Sequence, residues 1–170
     1  GKVYNGLVKY NKTTVDLENL PDINTKIMMN VASPTQAFNF SKIPNYGVGL
    51  AREEFIINNF IKVHPQALLD YYTLDSKLQE KIDEIIVGYE NPIEYYVQKL
   101  AFGIARIATA FYPKDVIVRF SDFKSNEYSN LLGGKAFEPH EENPMIGWRG
   151  ASRYYSKNFK EAFGLECKAI

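Results

Sequence analysis

Residues 46–57 read YGVGLAREEFII, a short apolar run that passes directly into a helical pattern. The run predicts a buried strand over residues 46–52, and residues 53–57 predict the start of a helix. Two other apolar runs, residues 25–31 and 115–120, also have the composition of buried strands. The sequence therefore predicts three strands with helical segments between them.

The segments between and after the predicted strands have sequence patterns typical of helices. Ser33 and Pro34 are residue types favoured at a helix N-cap and at the first helical position, which predicts a helix that turns Ala37, Phe38 and Phe40 inward. Three further helices are predicted from apolar spacing, over residues 66–88, 92–111 and 158–170, with a loop over residues 121–143. Alternating strands and helices are typical of a parallel α/β fold, but the pattern does not separate a doubly wound sheet from a barrel.

The composition is that of an ordinary folded protein. Of 170 residues, 45% are hydrophobic and 24% are charged, which excludes a disordered chain. Twenty basic residues balance twenty acidic ones, so no net charge attracts nucleic acid or an anionic membrane. No apolar run reaches the length of a membrane span. The single cysteine, Cys167, excludes an internal disulfide and predicts a reducing, cytoplasmic location.

Two arginines end two of the predicted strands. Arg52 closes the second strand and Arg119 closes the third. Carboxyl ends of parallel strands form the ligand-binding edge of α/β folds, and a guanidinium there suits a phosphate or a carboxylate. The alternative interpretation is structural, with Glu53, Glu54 and Asp122 as ion-pair partners of these arginines.

A third arginine, Arg149, lies in the stretch GWRGASR of residues 147–153, which leads into a helix. Glycines let a backbone approach a ligand closely, and the amides of a helix N-terminus favour anions. The stretch is therefore a third candidate for anion binding.

Other polar residues are predicted to be structural or solvated. His64 precedes a proline in a connector and His140 lies in an acidic loop, so both are expected in solvent. The charge run of that loop consists of Glu138, Glu141 and Glu142. Cys167 has no neighbouring group that would activate it.

Four blocks of sequence, in this order, carry a resemblance to a known family. They are residues 26–31 (KIMMNV), 47–57 (GVGLAREEFII), 116–128 (VIVRFSDFKSNEY) and 141–150 (EENPMIGWRG). Together they resemble the phosphoenolpyruvate (PEP)-binding domain of the phosphoenolpyruvate synthase (pyruvate, water dikinase) family. Its wider group includes pyruvate phosphate dikinase and enzyme I of the sugar phosphotransferase system. The resemblance covers essentially the whole chain.

The resemblance implies a (β/α)8 TIM-type barrel. The chain would hold about the first three β/α units with an inserted helical pair, and roughly five strands would lie beyond it. Residues 1–22 are predicted to be a linker with short strands, including a hairpin at Asn5-Gly6, and residues 23–170 a partial barrel. We therefore expect the chain to be part of a longer enzyme and inactive alone.

The implied reaction of the parent makes PEP, AMP and phosphate from pyruvate, ATP and water through a phosphohistidine. Arg52 and Arg119 match the family arginines that hold the transferring phosphoryl group, and Arg149 matches a third arginine at the same mouth. The magnesium ligands, a glutamate and an aspartate, and a general-acid cysteine are expected beyond Ile170, and Cys167 does not match that cysteine. No catalytic residue is therefore expected within the chain.

The implied partners are pyruvate or PEP and the phosphohistidine and ATP-grasp domains of the parent, without nucleic acid or membrane. The family commonly forms homodimers through this domain. Two other functions stay open. One is a stand-alone, non-catalytic module that binds PEP or phosphate, and the other is a scaffold whose exposed sheet edge docks a partner.

Overall fold

The sheet has three parallel strands in the order β1-β2-β3 in the computed structural model, which describes residues 3–17, 20–21 and 23–170. The strands are β1 Met29–Val31, β2 Val48–Arg52 and β3 Val116–Arg119. Each predicted strand is thus confirmed in shorter form, and so is the parallel α/β class.

Most of the helices that surround this sheet are short. The α-helices are α1 Ala37–Phe40, α2 Glu54–Ile56, α3 Pro65–Leu69, α4 Ser76–Ile86, α5 Pro92–Phe111, α6 Ser125–Ser129, α7 Ala151–Tyr154 and α8 Lys160–Ala169. A π-helical turn, Ile57–Ile61, follows α2, and 3-10 turns span Tyr71–Thr73, Gly134–Ala136 and Pro144–Ile146. None of the helices in the described ranges is long and apolar enough to cross a membrane.

Helix α5 is the central element of the core and confirms the prediction for residues 92–111. Pro92 occupies its first turn, and the Asn91 side chain caps it by accepting a hydrogen bond from Glu94 N at 2.9 Å. Its buried side chains include Tyr95, Tyr96, Leu100, Ile107 and Phe111. They pack toward β2, β3, α1, α3 and α8. The long helix therefore supports the sheet from one side.

The start of β2 requires glycine. Gly47 has φ +116°, and a Cβ at this position would lie 2.3 Å from the carbonyl oxygen of Asp115. The next residue, Val48, donates to that same oxygen at 2.8 Å. Close approach at Gly47 thus sets the register between β2 and β3.

The prediction of one helix over residues 66–88 is wrong at its centre. Helix α3 ends at Leu69, and Asp75 caps a new helix by accepting from Leu78 N at 3.1 Å. Aspartate at an N-cap favours a new helix over continuation of the old one. Both helices turn apolar residues toward one core, which explains why the apolar spacing continues across the break.

Two expectations for the N-terminal part also fail. Phe38 is 47% exposed rather than inward, and α1 begins only at Ala37, after a turn, rather than at Pro34. In residues 3–17 and 20–21 neither strand nor helix forms. Gly6 adopts the left-handed φ of +85° that a turn needs, but Val3 and Leu7 are fully exposed, so no packed face supports a hairpin. The other residues of the predicted linker (1, 2, 18, 19 and 22) lie outside the described residues.

Two helical glycines provide a matched test of the packing of α5. A Cβ on Gly103 would lie 2.8 Å from Ile56 Cγ2, whereas a Cβ on Gly164 in α8 meets nothing within 4 Å. Gly164→Ala should raise the free energy of unfolding by roughly 0.5–1 kcal/mol through helix propensity. Gly103→Ala should lower it, because overpacking costs about 1–3 kcal/mol. Urea unfolding measures both, and equal stabilisation by the two variants would contradict the packing of α5 on α2.

Candidate functional site

Arg52 and Arg119 lie side by side at the carboxyl ends of neighbouring strands. They are direct register partners in the pairing of β2 with β3. The proximity predicted from the strand ends is therefore observed. Two like charges so placed repel each other unless negative groups lie near them.

A cavity of about 320 Å³ opens at these strand ends. Its lining consists of Arg52, Glu54, Phe55, Asn58, Arg119, Asp122, Phe123, Lys124, Glu127 and Arg149. The structure thus brings all three arginines identified from the sequence into one cavity. Lys124, which the sequence does not single out, is a fourth cation.

Carboxylates hold two of the three arginines. Arg119 Nη2 donates to Glu54 Oε1 at 2.5 Å. Arg149 makes a bidentate pair with Asp122, from Nε to Oδ1 at 3.1 Å and from Nη2 to Oδ2 at 2.9 Å, and this carboxylate raises the pKa of Arg149. The ion-pair interpretation therefore applies to Glu54 and Asp122, whereas Glu53 is buried in the core.

Arg52 differs from the other two. Among the residues that the structure describes, no carboxylate oxygen lies within 4 Å of its guanidinium nitrogens, and its Nε is buried without a hydrogen-bond partner. The guanidinium carbon lies 5.2 Å from the centroid of the Phe55 ring. A buried donor left unpaired costs about 1–3 kcal/mol, so a hydrogen bond from this N–H to an anion is favoured here. Arg52 can therefore offer free donors to an anionic ligand.

Arg153, four residues after Arg149, is a buried cation that is only 1% exposed. Its Nη1 and Nη2 donate to the two carboxylate oxygens of Glu138, each at 2.6 Å. The rings of Trp148, Tyr128 and Phe159 surround the guanidinium, with centroids at 4.0, 4.5 and 4.8 Å. Such a pair is stable only when complete, since loss of either partner leaves a buried charge.

His64 belongs to the same network, so its predicted exposure to solvent is wrong. The side chains of His64 and Glu138 are each 1% exposed, and His64 Nε2 lies 3.0 Å from Glu138 Oε1. The N–H of Gln66 donates to Nδ1 at 3.1 Å, which places the ring proton on Nε2. Burial lowers the pKa of His64, and the ring is therefore neutral at neutral pH. Glu138 is likewise a core residue rather than part of a solvated charge run.

This network fixes the loop that carries Arg149. Trp148 donates from its N–H to Glu141 Oε1 at 2.8 Å, and its carbonyl accepts from Arg153 at 3.1 and 3.2 Å. A Cβ on Gly147 would lie 2.3 Å from Glu141 Oε2, so a larger residue there would displace this carboxylate from its hydrogen bonds to Ser125 and Trp148. Gly147 therefore serves the close packing of the loop, which holds Arg149 at the cavity.

Two buried carboxyl groups beneath the strand ends escape prediction from the sequence. Glu53 and Glu166 are each 0% exposed. The N–H of Ser121 lies 2.7 Å from Glu53 Oε1 and 3.2 Å from Glu166 Oε2, and Ser121 Oγ donates to Glu166 Oε1 at 2.6 Å. Burial raises the pKa of both acids, and the pair is stabilised by sharing one proton. The pair joins the ends of β2 and β3 to α8.

The remaining candidates lie away from the cavity. His140 is exposed, as predicted, and Cys167 is an exposed free thiol. In the described ranges no group of three histidine, cysteine or acidic residues could hold a metal ion. The cavity carboxylates Glu54 and Asp122 are already bound by arginines, so these donors do not fit a magnesium ion.

Comparison with known proteins gives a consistent result. The family model for the PEP-binding domain of PEP-utilising enzymes matches residues 8–170. Phosphoenolpyruvate synthases of Deinococcus radiodurans and Escherichia coli are 56% and 53% identical over 170 residues, and that of Aquifex aeolicus is 49% identical over 216 residues. Each alignment covers 100% of this chain and 22%, 22% and 25%, respectively, of the relative. The chain thus spans a quarter or less of the length of these curated relatives.

Arg153→Met should lower the free energy of unfolding by about 3–5 kcal/mol, because it leaves the Glu138 carboxylate buried without a counterion. Adding Glu138→Gln should restore part of the loss, since the amide carries no charge. Arg106→Met, on the partly exposed face of α5, is the matched control and should change stability by about 0.5 kcal/mol or less. Equal urea midpoints for Arg153→Met and Arg106→Met would exclude the proposed role of the buried pair.

The shared proton of Glu53 and Glu166 predicts a pH dependence of stability. The folded state keeps a proton that the unfolded state releases. The contribution of this proton to the stability of the folded state is complete below the ordinary glutamate pKa of 4.5. It declines as the pH rises toward about 11, the pKa of Glu53. Glu53→Gln keeps a hydrogen bond without a titrating proton and should remove a slope of up to about 1.4 kcal/mol per pH unit.

Urea unfolding between about pH 5 and pH 9 measures this slope. Glu161→Gln, at an exposed position of α8, makes the same change of charge and should leave the wild-type slope intact. If Glu53→Gln and wild type show the same slope, the two acids do not share a proton.

Proposed function

Because the chain belongs to the family of PEP-utilising enzymes, whose PEP-binding domain it matches over residues 8–170, we propose that it forms the phosphoryl-binding wall of a phosphoenolpyruvate synthase. The proposed overall reaction makes PEP, AMP and phosphate from pyruvate, ATP and water through a phosphohistidine. In that reaction this chain binds PEP or pyruvate. The observation that carries the proposal is the cavity at the strand ends, where Arg52 has no anionic partner among the described residues while Arg119 and Arg149 lie in the same lining.

The geometry suits phosphoryl transfer because that reaction depends on positioning and charge neutralisation more than on covalent help from the protein. Arg52 contributes a guanidinium with free donors to the phosphoryl oxygens. Arg119 and Arg149 are already oriented by Glu54 and Asp122, so they need little reorganisation when the ligand binds. The side chains of this wall thus hold the phosphoryl group in place while it passes from phosphohistidine to the enolate oxygen of pyruvate.

The same proposal extends to the fold, in which β1, β2 and β3 are consecutive strands of a (β/α)8 barrel. Their parallel order follows the chain order, and helical segments separate them. Barrel enzymes bind their ligands at the carboxyl ends of the strands, which is where the cavity lies. The position of the cavity therefore agrees with the proposed architecture.

Other components of the proposed reaction are assigned to the rest of the enzyme. They are magnesium, ATP, a general acid, and the domains that carry the phosphohistidine and the ATP site. We place the reaction in the cytoplasm, where the thiol of Cys167 stays reduced.

Isothermal titration calorimetry of the chain with PEP tests this function. Wild type is expected to bind, and Arg52→Ala should weaken binding by at least about tenfold, since hydrogen bonds from a charged donor contribute roughly 1.5–3 kcal/mol. Arg106→Ala, outside the cavity lining, serves as the matched control and should bind like wild type. The function would be contradicted by a wild-type chain that fails to bind PEP, or by Arg52→Ala binding with unchanged affinity.

An activity assay separates a binding wall from a complete enzyme. The chain incubated with pyruvate, ATP and magnesium should form no PEP, because the groups that take up phosphate from ATP are proposed to lie elsewhere. Formation of PEP by the purified chain would refute that division of roles.

A further inference from the structure

The charges that line the cavity do not balance. The cations are Arg52, Arg119, Lys124 and Arg149, and the carboxylates are Glu54, Asp122 and Glu127. Glu54 binds Arg119 and Asp122 binds Arg149, each at hydrogen-bond distance. Two cations, Arg52 and Lys124, then face the cavity with a single remaining carboxylate.

That carboxylate, Glu127, makes no hydrogen bond to the ammonium group of Lys124. The distance from Lys124 Nζ to Glu127 Oε1 is 3.9 Å, which is longer than a hydrogen bond. The other oxygen, Glu127 Oε2, accepts from the backbone N–H of Lys124 at 2.8 Å and so closes the first turn of α6. The ammonium of Lys124 therefore makes no hydrogen bond to any residue of the described ranges, and all three of its donors stay available.

The backbone that leads into Lys124 is anchored at three successive residues. The N–H of Ser121 is bound by the buried acid pair, and the N–H of Asp122 donates to Glu54 Oε1 at 2.9 Å. Phe123, the residue before Lys124, is buried in the core. The side chain of Lys124 thus extends from an anchored loop, and only its own rotamers need to be ordered when it meets a ligand.

From these contacts we propose that Lys124 is a fourth phosphoryl-binding residue, whose Nζ donates to the same phosphoryl group as Arg52. The inference rests on the function proposed above and names a residue beyond the three arginines. A phosphoryl group carries close to two negative charges, and Arg52 and Lys124 are the cavity cations whose guanidinium or ammonium makes no hydrogen bond to a carboxylate of the described residues. A compact ammonium on a flexible stem is a common partner for phosphate.

Calorimetry with three separate probes tests the inference on the whole chain: PEP, inorganic phosphate and pyruvate. Lys124→Met should weaken the binding of PEP and of phosphate by about tenfold or more, as loss of a charged hydrogen bond implies, and leave pyruvate binding nearly unchanged. Lys124→Arg should retain the binding of phosphate, since it keeps the charge and the donors. Lys81→Met, at an exposed position of α4, is the control for the loss of one positive charge.

Each of the other outcomes would overturn a stated part of the inference about Lys124 or of the proposed function. If Lys124→Met binds PEP and phosphate like wild type while Arg52→Ala does not, Lys124 is not a ligand and the proposed function stands. If pyruvate binding falls as much as phosphate binding, the assignment to the phosphoryl group is wrong. If Lys124→Arg also fails to bind phosphate while its circular dichroism and thermal midpoint match wild type, the positive charge at this position does not account for phosphate binding. If wild type binds neither PEP nor phosphate, the inference and the proposed function fall together.

Discussion

The buried pair of Arg153 and Glu138 is the constraint on which the arrangement of the cavity depends. A guanidinium enclosed by three aromatic rings cannot remain in the core without a carboxylate, and Glu138 supplies both oxygens to it. The carboxylate also accepts from His64, the N-cap residue of α3. One ion pair thus ties the irregular segment before α7 to the helical core. Arg149 lies four residues before Arg153 and inherits its position from that attachment.

The strand ends that carry Arg52 and Arg119 are held by a different kind of contact. The buried acids Glu53 and Glu166 meet at Ser121 and join two strand ends to α8. Arg52 precedes Glu53 directly, and Arg119 lies two residues before Ser121, so both arginines are carried on this anchored backbone. The cavity therefore receives its cations from two rigid supports, a buried ion pair and a buried pair of acids. The ligand does not have to organise them. Preorganised charge of this kind is what phosphoryl transfer requires.

Part of this arrangement is predictable from the sequence. Arg52 and Arg119 follow apolar strands, and the rule that parallel strands present their carboxyl ends together is sufficient to bring them to one edge. Helix α5 is predictable because Asn91 and Pro92 mark its start and its apolar spacing is unbroken. The break at Asp75 is less visible, since apolar spacing continues through it.

What the sequence does not reveal are contacts between residues far apart in the chain. His64 lies 74 residues from Glu138, and Ser121 lies 45 residues from Glu166. Local composition gives His64 and Glu138 the character of solvated loop residues, and only tertiary packing buries them. Glu166 offers a faint signal, because it lies four residues after the buried Ala162 and three before Ala169 on the inner face of α8. A glutamate at such a position indicates a buried polar network.

NMR of the guanidinium Nε–Hε groups can show directly whether Arg52 and Arg119 bind the phosphoryl group, because the sequence contains five arginines, whose signals can be assigned by substitution. Titration with PEP is expected to shift the signals of Arg52 and Arg119 saturably. The signal of Arg153, enclosed by its rings and Glu138, should stay fixed. An Arg52 signal that does not respond to saturating PEP, or equal shifts of all five signals, would show that the cavity is not where the phosphoryl group binds.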